Sequence, residues 1–128
     1  MADKRDNYRH LKRLPVKFGV EVANASGFTE DISHNGLFIK TGLVQGPGRR
    51  LAIELTLPQD RLVKVVAKVQ WAKKIPPALL RTYKGGMGFT IVRFLDGEKY
   101  YRALCDELQQ IRVERNNFGT KSLAHEEG

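Results

Sequence analysis

The chain has little of what secreted, membrane-spanning and metal-dependent proteins rely on. Its single cysteine, Cys105, cannot form an internal disulfide or build a cysteine cluster for a metal. No apolar run approaches the roughly 20 residues that a transmembrane helix needs. The polar N-terminal residues also lack the hydrophobic stretch of a secretory signal. We therefore expect a cytoplasmic protein that does not insert into a membrane.

Recognisable catalytic constellations are also missing. The three histidines, His10, His34 and His125, do not have the spacing of metal ligands. The sequence shows neither a phosphate-cradling Walker loop nor an apparent Ser–His–carboxylate arrangement. Cys105 falls in a predicted helix, where an inert buried thiol is expected. These absences argue against an enzyme and against a bound metal.

Acidic residues are scarce in the first three quarters of the chain. Residues 1–95 contain 17 of the 22 lysines and arginines but only 7 of the 14 aspartates and glutamates, and the whole chain has a formal net charge of +8. Such a positive field attracts an anionic partner: a dinucleotide, a nucleic acid or an anionic membrane surface. The alternative is that the lysines simply keep a small protein soluble. The 128 residues, 41% of them hydrophobic and 28% charged, are those of one globular domain.

The hydrophobic pattern predicts a mainly β fold. Residues 1–14 form a polar, basic arm that we expect to be flexible and to become ordered on a ligand. From Pro15 onwards, apolar and polar residues alternate as in half-buried strands, over segments 15–22, 29–32, 37–41, 51–57, 63–71 and 87–94. Short strands with close turns predict a small antiparallel barrel of six to seven strands over residues 15–95.

A C-terminal helix is predicted over residues 96–115, with Asp96 as its N-cap. An apolar stripe recurs at three- and four-residue steps, formed by Tyr101, Leu104, Leu108 and Ile111. We expect this stripe to pack on one mouth or flank of the barrel; a coiled-coil seam between two chains is the alternative. The protein is thus expected to be a monomer or a weak dimer. Residues 116–128 are predicted to be a disordered tail.

Two short clusters carry the chemistry. Arg9 and Arg13 are four residues apart in the arm, and the arginine fork matches phosphate oxygens while keeping its charge at any working pH. One strand later, Asp31, Ser33 and Gly36 form a turn that combines a carboxylate, a hydroxyl and a glycine. A carboxylate can accept hydrogen bonds from the adjacent N–H donors of a guanine. Together the clusters favour a guanine nucleotide with exposed phosphates, although a solvated arm and a self-capped turn are the plain alternatives.

The ordered pair of motifs, Arg-x-x-x-Arg followed by Asp-x-Ser-x-x-Gly, resembles the PilZ domain family, whose members bind the bacterial second messenger cyclic di-GMP. Three further segments occur in the family's order: Leu14-Pro15-Val16 after the second arginine, Gly36-Leu37-Phe38-Ile39 after the turn, and Gly86-Met87-Gly88-Phe89 at the last strand. The resemblance covers roughly residues 5–95. It implies a cyclic di-GMP receptor that binds the ligand through Arg9, Arg13, Asp31, Ser33 and Gly36.

Several other residues are weaker candidates for ligand contact. Arg5 adds a flanking charge, and the resemblance implies that the Tyr8 position influences whether one or two cyclic di-GMP molecules are bound. His34 and Asn35 lie at the tip of the turn, where solvation is the simpler expectation. Trp71 could stack on a base, but packing at the core or rim is the simpler role. Gly86 and Gly88 are expected to shape the sheet near the pocket, or to mark a bulge.

The resemblance implies a receptor that signals without chemistry. Ligand would order the arm, and an unidentified downstream protein would recognise the changed surface, in a process such as motility, biofilm formation or development. One alternative is a PilZ-like protein that does not bind nucleotide and acts in pilus or secretion assembly. Another is a small basic barrel that binds RNA or single-stranded DNA. A nucleic-acid polymer is not expected, because the strands carry mostly aliphatic rather than aromatic residues.

Overall fold

Alternation of apolar and polar residues with a period of two produces the strands of the structure, which is a computed structural model. It describes residues 9–79 and 85–127, and side chains are described as far as Arg115, except that of Pro77. The described strands are β1 (His10–Leu11), β2 (Pro15–Gly19), β3 (Ala25–Ile32), β4 (Gly36–Lys40), β5 (Arg50–Leu57), β6 (Arg61–Lys73) and β7 (Gly86–Asp96). Two single-turn 3-10 helices, Pro58–Asp60 and Pro77–Leu79, and one α-helix, α1 (Glu98–Glu127), complete the described elements. Arg5 and Tyr8 lie outside the described residues.

Six of the strands close into an antiparallel barrel. The order is β3-β2-β5-β6-β7-β4, and β4 pairs back onto β3, so that no open edge remains between these six strands. The short β1 is a seventh strand, paired antiparallel with the end of β3. The predicted small antiparallel barrel of six to seven strands is thus confirmed.

Alternate residues of each strand fill the interior of the barrel. On β5, and on β6 from Val63 to Val69, every second residue is buried and aliphatic, and the residues between them are exposed or half-buried. The core comprises mainly Val, Leu and Ile, and includes Phe18, Phe89 and Tyr101. Burial of this apolar surface is the main force that stabilises the barrel.

Helix α1 packs against the barrel through its first three turns. Tyr101, Leu104 and Cys105 are buried, and Leu108 packs against the same core. Ile111 is 41% exposed, so the predicted apolar stripe reaches the barrel only as far as Leu108. The edge of the interface is reinforced by the Arg61 guanidinium, which lies 4.4 Å from the centre of the Tyr100 ring.

The ends of α1 differ from the prediction. Strand β7 runs through Asp96, and Gly97, with φ +78°, makes the turn into the helix, where its carbonyl accepts the N–H groups of Tyr100 and Tyr101. A glycine tolerates this left-handed backbone, which an aspartate would adopt at a cost. At the other end the structure continues the helix to Glu127, over the stretch where the sequence predicts a disordered tail.

The predicted strand over 15–22 is too long. Strand β2 ends at Gly19, and Val20 and Val22 are exposed, because the chain turns there and the Asn24 N–H donates to the Val22 carbonyl. In the described residues, no helix has both the length and the apolar character needed to cross a membrane.

The seam between β4 and β7 depends on glycine. Gly36 pairs with Thr90, and a Cβ on Gly36 would collide with the carbonyl oxygen of Phe89. On the same seam, a Cβ on Gly86 would collide with the carbonyl oxygen of Ile39, and Gly86 has φ +145°. The two strands approach too closely at these positions for any side chain.

We expect Gly36→Ala to lower the free energy of unfolding by about 2 kcal/mol, since the added methyl group must push the two strands apart. Gly46→Ala is the matched control, because a Cβ there meets nothing within 4 Å. Thermal melting without any ligand measures both. Equal melting temperatures for Gly36→Ala and the wild type would contradict a structural role for this glycine.

Candidate functional site

The two predicted motifs lie side by side on neighbouring strands. Leu11 of β1 pairs with Asp31 of β3, and Arg9, the residue immediately before β1, reaches across so that its Nη1 donates to the Asp31 carboxylate at 2.7 Å. The Arg9 side chain is 47% exposed and that of Asp31 is 13% exposed. The structure therefore brings the first arginine and the acidic residue into direct contact at the surface of the barrel.

Arg13, the second arginine, lies on an aromatic ring. Its guanidinium carbon is 4.0 Å from the centre of the Phe28 ring, and Phe28 is 42% exposed. This cation–π contact keeps the planar fork near the surface. Both arginines are thus held by residues of β3, although by different partners.

A groove of about 590 Å³ runs beside this segment. Its lining combines cations with apolar and acidic side chains: Leu11, Lys12, Arg13, Phe28, Thr29, Glu30 and Lys40. Together with the neighbouring Arg9, the groove has four cationic side chains beside it and only two carboxylates, those of Glu30 and Asp31. The local charge is positive, as the sequence predicts for an anionic ligand.

The turn after Asp31 is held by its own hydrogen bonds. The Gly36 N–H donates to the Ser33 hydroxyl oxygen at 3.1 Å, and the Ser33 N–H donates to the Gly36 carbonyl at 2.8 Å. Ser33 is 4% exposed. Its hydroxyl therefore caps the turn. Contact of Ser33 or Gly36 with a ligand stays a prediction.

Helix α1 grips this turn from the other side. The buried Tyr101 hydroxyl lies 2.6 Å from the Ser33 carbonyl oxygen and 3.1 Å from that of Gly36, and it donates to this pair. His34 is bonded to Asp106, with 2.7 Å between Nε2 and Oδ1. Only 10% of the His34 side chain is exposed, so the expected solvation at the turn tip is wrong, whereas Asn35 is exposed.

Two buried groups of α1 have perturbed acidity. Burial raises the pKa of Tyr101 well above its usual value, and the neighbouring Cys105 adds to this shift. Burial also raises the pKa of the Cys105 thiol to about 12. A thiol that stays protonated and enclosed is a poor nucleophile, as the sequence leads us to expect.

His10 lies inside the arginine motif but faces the interior. It is 7% exposed, and its Nε2 has no hydrogen-bond partner among the described residues. Burial lowers the pKa of His10, and the nearby charges of Arg112 and His34 lower it further. The folded protein therefore favours the neutral imidazole at this position.

Two stacked aromatic residues, Phe38 and Trp71, lie beside Asp31 across the sheet. Across the sheet, Asp31 pairs with Phe38, Phe38 with Gly88, and Gly88 with Trp71. The Trp71 indole covers Gly88, where any Cβ would collide with its Nε1, and stacks on Phe38 with ring centres 5.0 Å apart and planes 17° apart. Phe38 is buried, whereas Trp71 is 44% exposed.

Sequence reasoning missed several residues of this region. Phe28 and Phe38 look like ordinary strand residues, and only the cross-strand register shows that they flank Arg13 and Asp31. Tyr101 and Asp106 are 65 to 72 residues from the turn residues that they contact. Among the described residues, no group of three or more histidines, cysteines or carboxylates could hold a metal ion.

A family model for the PilZ domain matches residues 3–104. The chain belongs to the PilZ domain family. PilZ domains are, in general, cyclic di-GMP-binding domains that act as receptors or effectors. The matched region contains both motifs, the whole barrel and the beginning of α1. The resemblance inferred from the sequence is confirmed.

A solved structure shares the fold of this chain. The Bacillus subtilis inhibitor of motility, MotI/DgrA, is similar with a TM-score of 0.65 and 20% sequence identity, over 83% of this chain and 50% of that one. This chain thus spans half the length of MotI/DgrA. The PilZ domain of CeSA from a cellulose-synthesizing bacterium is similar with a TM-score of 0.49 and 19% identity, over 89% of this chain and 98% of that one. No curated protein sequence matches this chain.

We expect the stability of the protein to fall as the pH drops below 6.5, the ordinary pKa of a histidine such as His10. The unfolded chain then binds a proton that the folded chain binds only at lower pH, so acid favours unfolding. His10→Leu should reduce the difference in melting temperature between about pH 7.5 and about pH 5.5. If the melting temperatures of the wild type and of His10→Leu fall by the same amount between these two pH values, His10 is not the group that makes the protein sensitive to acid.

Proposed function

We propose that this protein is a cyclic di-GMP receptor whose site is formed by the arginine motif and the turn after β3. The observation that carries the proposal is the contact between Arg9 and Asp31, since it brings the phosphate-binding and the base-binding residue types to one place on the surface. The adjoining groove, lined by Lys12, Arg13 and Lys40, suits a ligand with two phosphates.

The ion pair between Arg9 and Asp31 is compatible with ligand binding. Because Arg9 is about half exposed, the pair contributes no more than about 1 kcal/mol. A ligand can therefore replace this ion pair at a small cost in free energy. The guanine N–H edge then donates to the Asp31 carboxylate, and a phosphate accepts from Arg9. Each charge-assisted hydrogen bond to the ligand then contributes about 1.5–3 kcal/mol.

Arg13 completes the phosphate site. Its position on Phe28 leaves it at the groove, where a phosphate can accept from the free edges of the guanidinium. Asp31 is the base-recognising residue, while Ser33 and Gly36 fix the turn that presents it. A guanine extending from Asp31 along the outer face would meet Trp71, which is exposed and covers the buried Phe38.

The proposed receptor transmits a signal without chemistry. Ligand replaces the contacts of Arg9 and Arg13, the N-terminal arm settles around it, and a downstream protein recognises the altered surface. A second messenger places such a receptor in the cytoplasm. MotI/DgrA is named as an inhibitor of motility, so proteins of the motility machinery are the first partners to test.

We expect Arg9→Ala and Arg13→Ala each to weaken cyclic di-GMP binding at least tenfold, the loss of one charge-assisted hydrogen bond. Because both side chains are at the surface, the melting temperature should change little. Arg50→Ala is the matched control, an exposed arginine on β5. Isothermal calorimetry at one fixed salt concentration measures all four proteins.

Three results would count against this function or against its site. No heat with the wild-type protein would favour a nucleotide-free role in pilus or secretion assembly. A gel shift with oligonucleotides that cyclic di-GMP does not compete away would favour an RNA- or DNA-binding barrel. Wild-type affinity in either arginine variant would show that the site is assigned to the wrong residues.

Trp71 provides an internal reporter, as it is the only tryptophan of the chain. If a guanine stacks on its exposed surface, titration with cyclic di-GMP should quench its fluorescence with the same midpoint as the calorimetry. Arg13→Ala should shift the midpoint of quenching to at least tenfold higher ligand concentration. If the emission is unchanged at ligand saturation, Trp71 does not stack on the ligand and only packs on Phe38 and Gly88.

A further inference from the structure

Thr29 is a polar side chain buried in a wall of the barrel that is otherwise largely apolar. Its residue is 2% exposed, and it lies two positions before Asp31 on β3. The Thr29 hydroxyl accepts the Leu14 N–H at 2.8 Å and donates to the Lys12 carbonyl at 2.7 Å. The Thr29 N–H also donates to the Leu14 carbonyl at 2.9 Å. All three bonds go to the segment that carries the arginines.

These bonds compensate for a mismatch in length between two strands. Leu11 pairs with Asp31 and Pro15 pairs with Phe28, so three residues of the arginine segment face only two of β3. The extra residue makes a bulge, which would leave main-chain groups of the segment unpaired. The hydroxyl of Thr29 supplies a donor and an acceptor at this point.

Arg13 is the middle residue of that bulge. The two main-chain groups that Thr29 binds, the Lys12 carbonyl and the Leu14 N–H, flank Arg13 on either side. The bulge therefore determines where the Arg13 guanidinium leaves the strand, and it sets the distance between this side chain and Arg9. Within the bulge Arg13 meets Phe28, and before the bulge Arg9 meets Asp31.

We propose that Thr29 is a positioning residue of the ligand site, whose buried hydroxyl clamps the bulge and so fixes the spacing of Arg9 and Arg13. For its effect on affinity the inference rests on the proposed function; for its effect on the arm it does not. A valine has the same shape but no hydroxyl, so it fills the space and leaves both main-chain groups unpaired. A serine keeps the hydroxyl.

The first test needs no ligand. Trypsin cleaves after Lys12 and Arg13 only when this segment leaves β3, so the cleavage rate reports how firmly it is clamped. We expect Thr29→Val to raise the rate at these two bonds about tenfold, as measured by mass spectrometry of the fragments. Thr29→Ser should be cleaved close to the wild-type rate. Thr56→Val, a change on the outer face of β5, is the control.

The second test is calorimetry with cyclic di-GMP. We expect Thr29→Val to bind about tenfold more weakly, at a temperature where melting curves show it fully folded, and Thr29→Ser to restore binding. If Thr29→Val does not fold, Thr29→Ala is used, because the smaller side chain avoids a packing clash and still lacks the hydroxyl.

The outcomes separate the two proposals. Wild-type cleavage rates in the variant that lacks the hydroxyl would overturn the clamp, whatever the ligand does. Faster cleavage with unchanged affinity would overturn the role of Thr29 in the ligand site. A wild-type protein that fails to bind cyclic di-GMP would overturn the proposed function and leave the proteolysis result to decide the clamp alone.

Discussion

The candidate site depends on the antiparallel pairing of β1 with β3. With His10 opposite Ile32 and Leu11 opposite Asp31, the residue before β1 reaches the carboxylate, and the residue that follows it points to the interior. Side chains alternate between the two faces of a strand, so a slip of one residue would exchange the buried and exposed sets. The buried His10 and the exposed Arg9 therefore fix the same register from opposite faces. Two motifs separated by a whole strand in the sequence become one surface through this register.

The strands are predictable where their pattern is strong and local. Strands β5 and β6 are found from alternation alone, whereas the beginning of β3 is missed, because Ser26 and Gly27 have little strand propensity and show no alternation of hydrophobic residues. There, pairing with β2 makes a strand that the local sequence does not favour. The end of β2 shows the opposite case: Val20 and Val22 continue the alternation, but no neighbouring strand pairs with them.

The site is predictable in its residue types but not in its mechanics. The arginines and Asp31 are recognisable because charge, fork geometry and order along the chain are properties of the sequence. The functions of Ser33 and Thr29 are not recognisable, because the sequence does not distinguish a hydroxyl that contacts a ligand from one that caps a turn or clamps a bulge. Only the partners of each hydroxyl decide this, and they lie on other elements.

These partners divide the site into a fixed half and an adjustable half. The turn after Asp31 is fixed, because moving it would strip the buried Tyr101 hydroxyl of its acceptors, and an unpaired buried hydroxyl costs about 1–3 kcal/mol. The side chains of Arg9 and Arg13 are adjustable, because they are at the surface and are held by an exposed ion pair and a cation–π contact, each worth about 1 kcal/mol or less. A ligand that competes for these contacts therefore moves the arginines before it moves the turn, and any change that it causes at the surface begins on the side of β1.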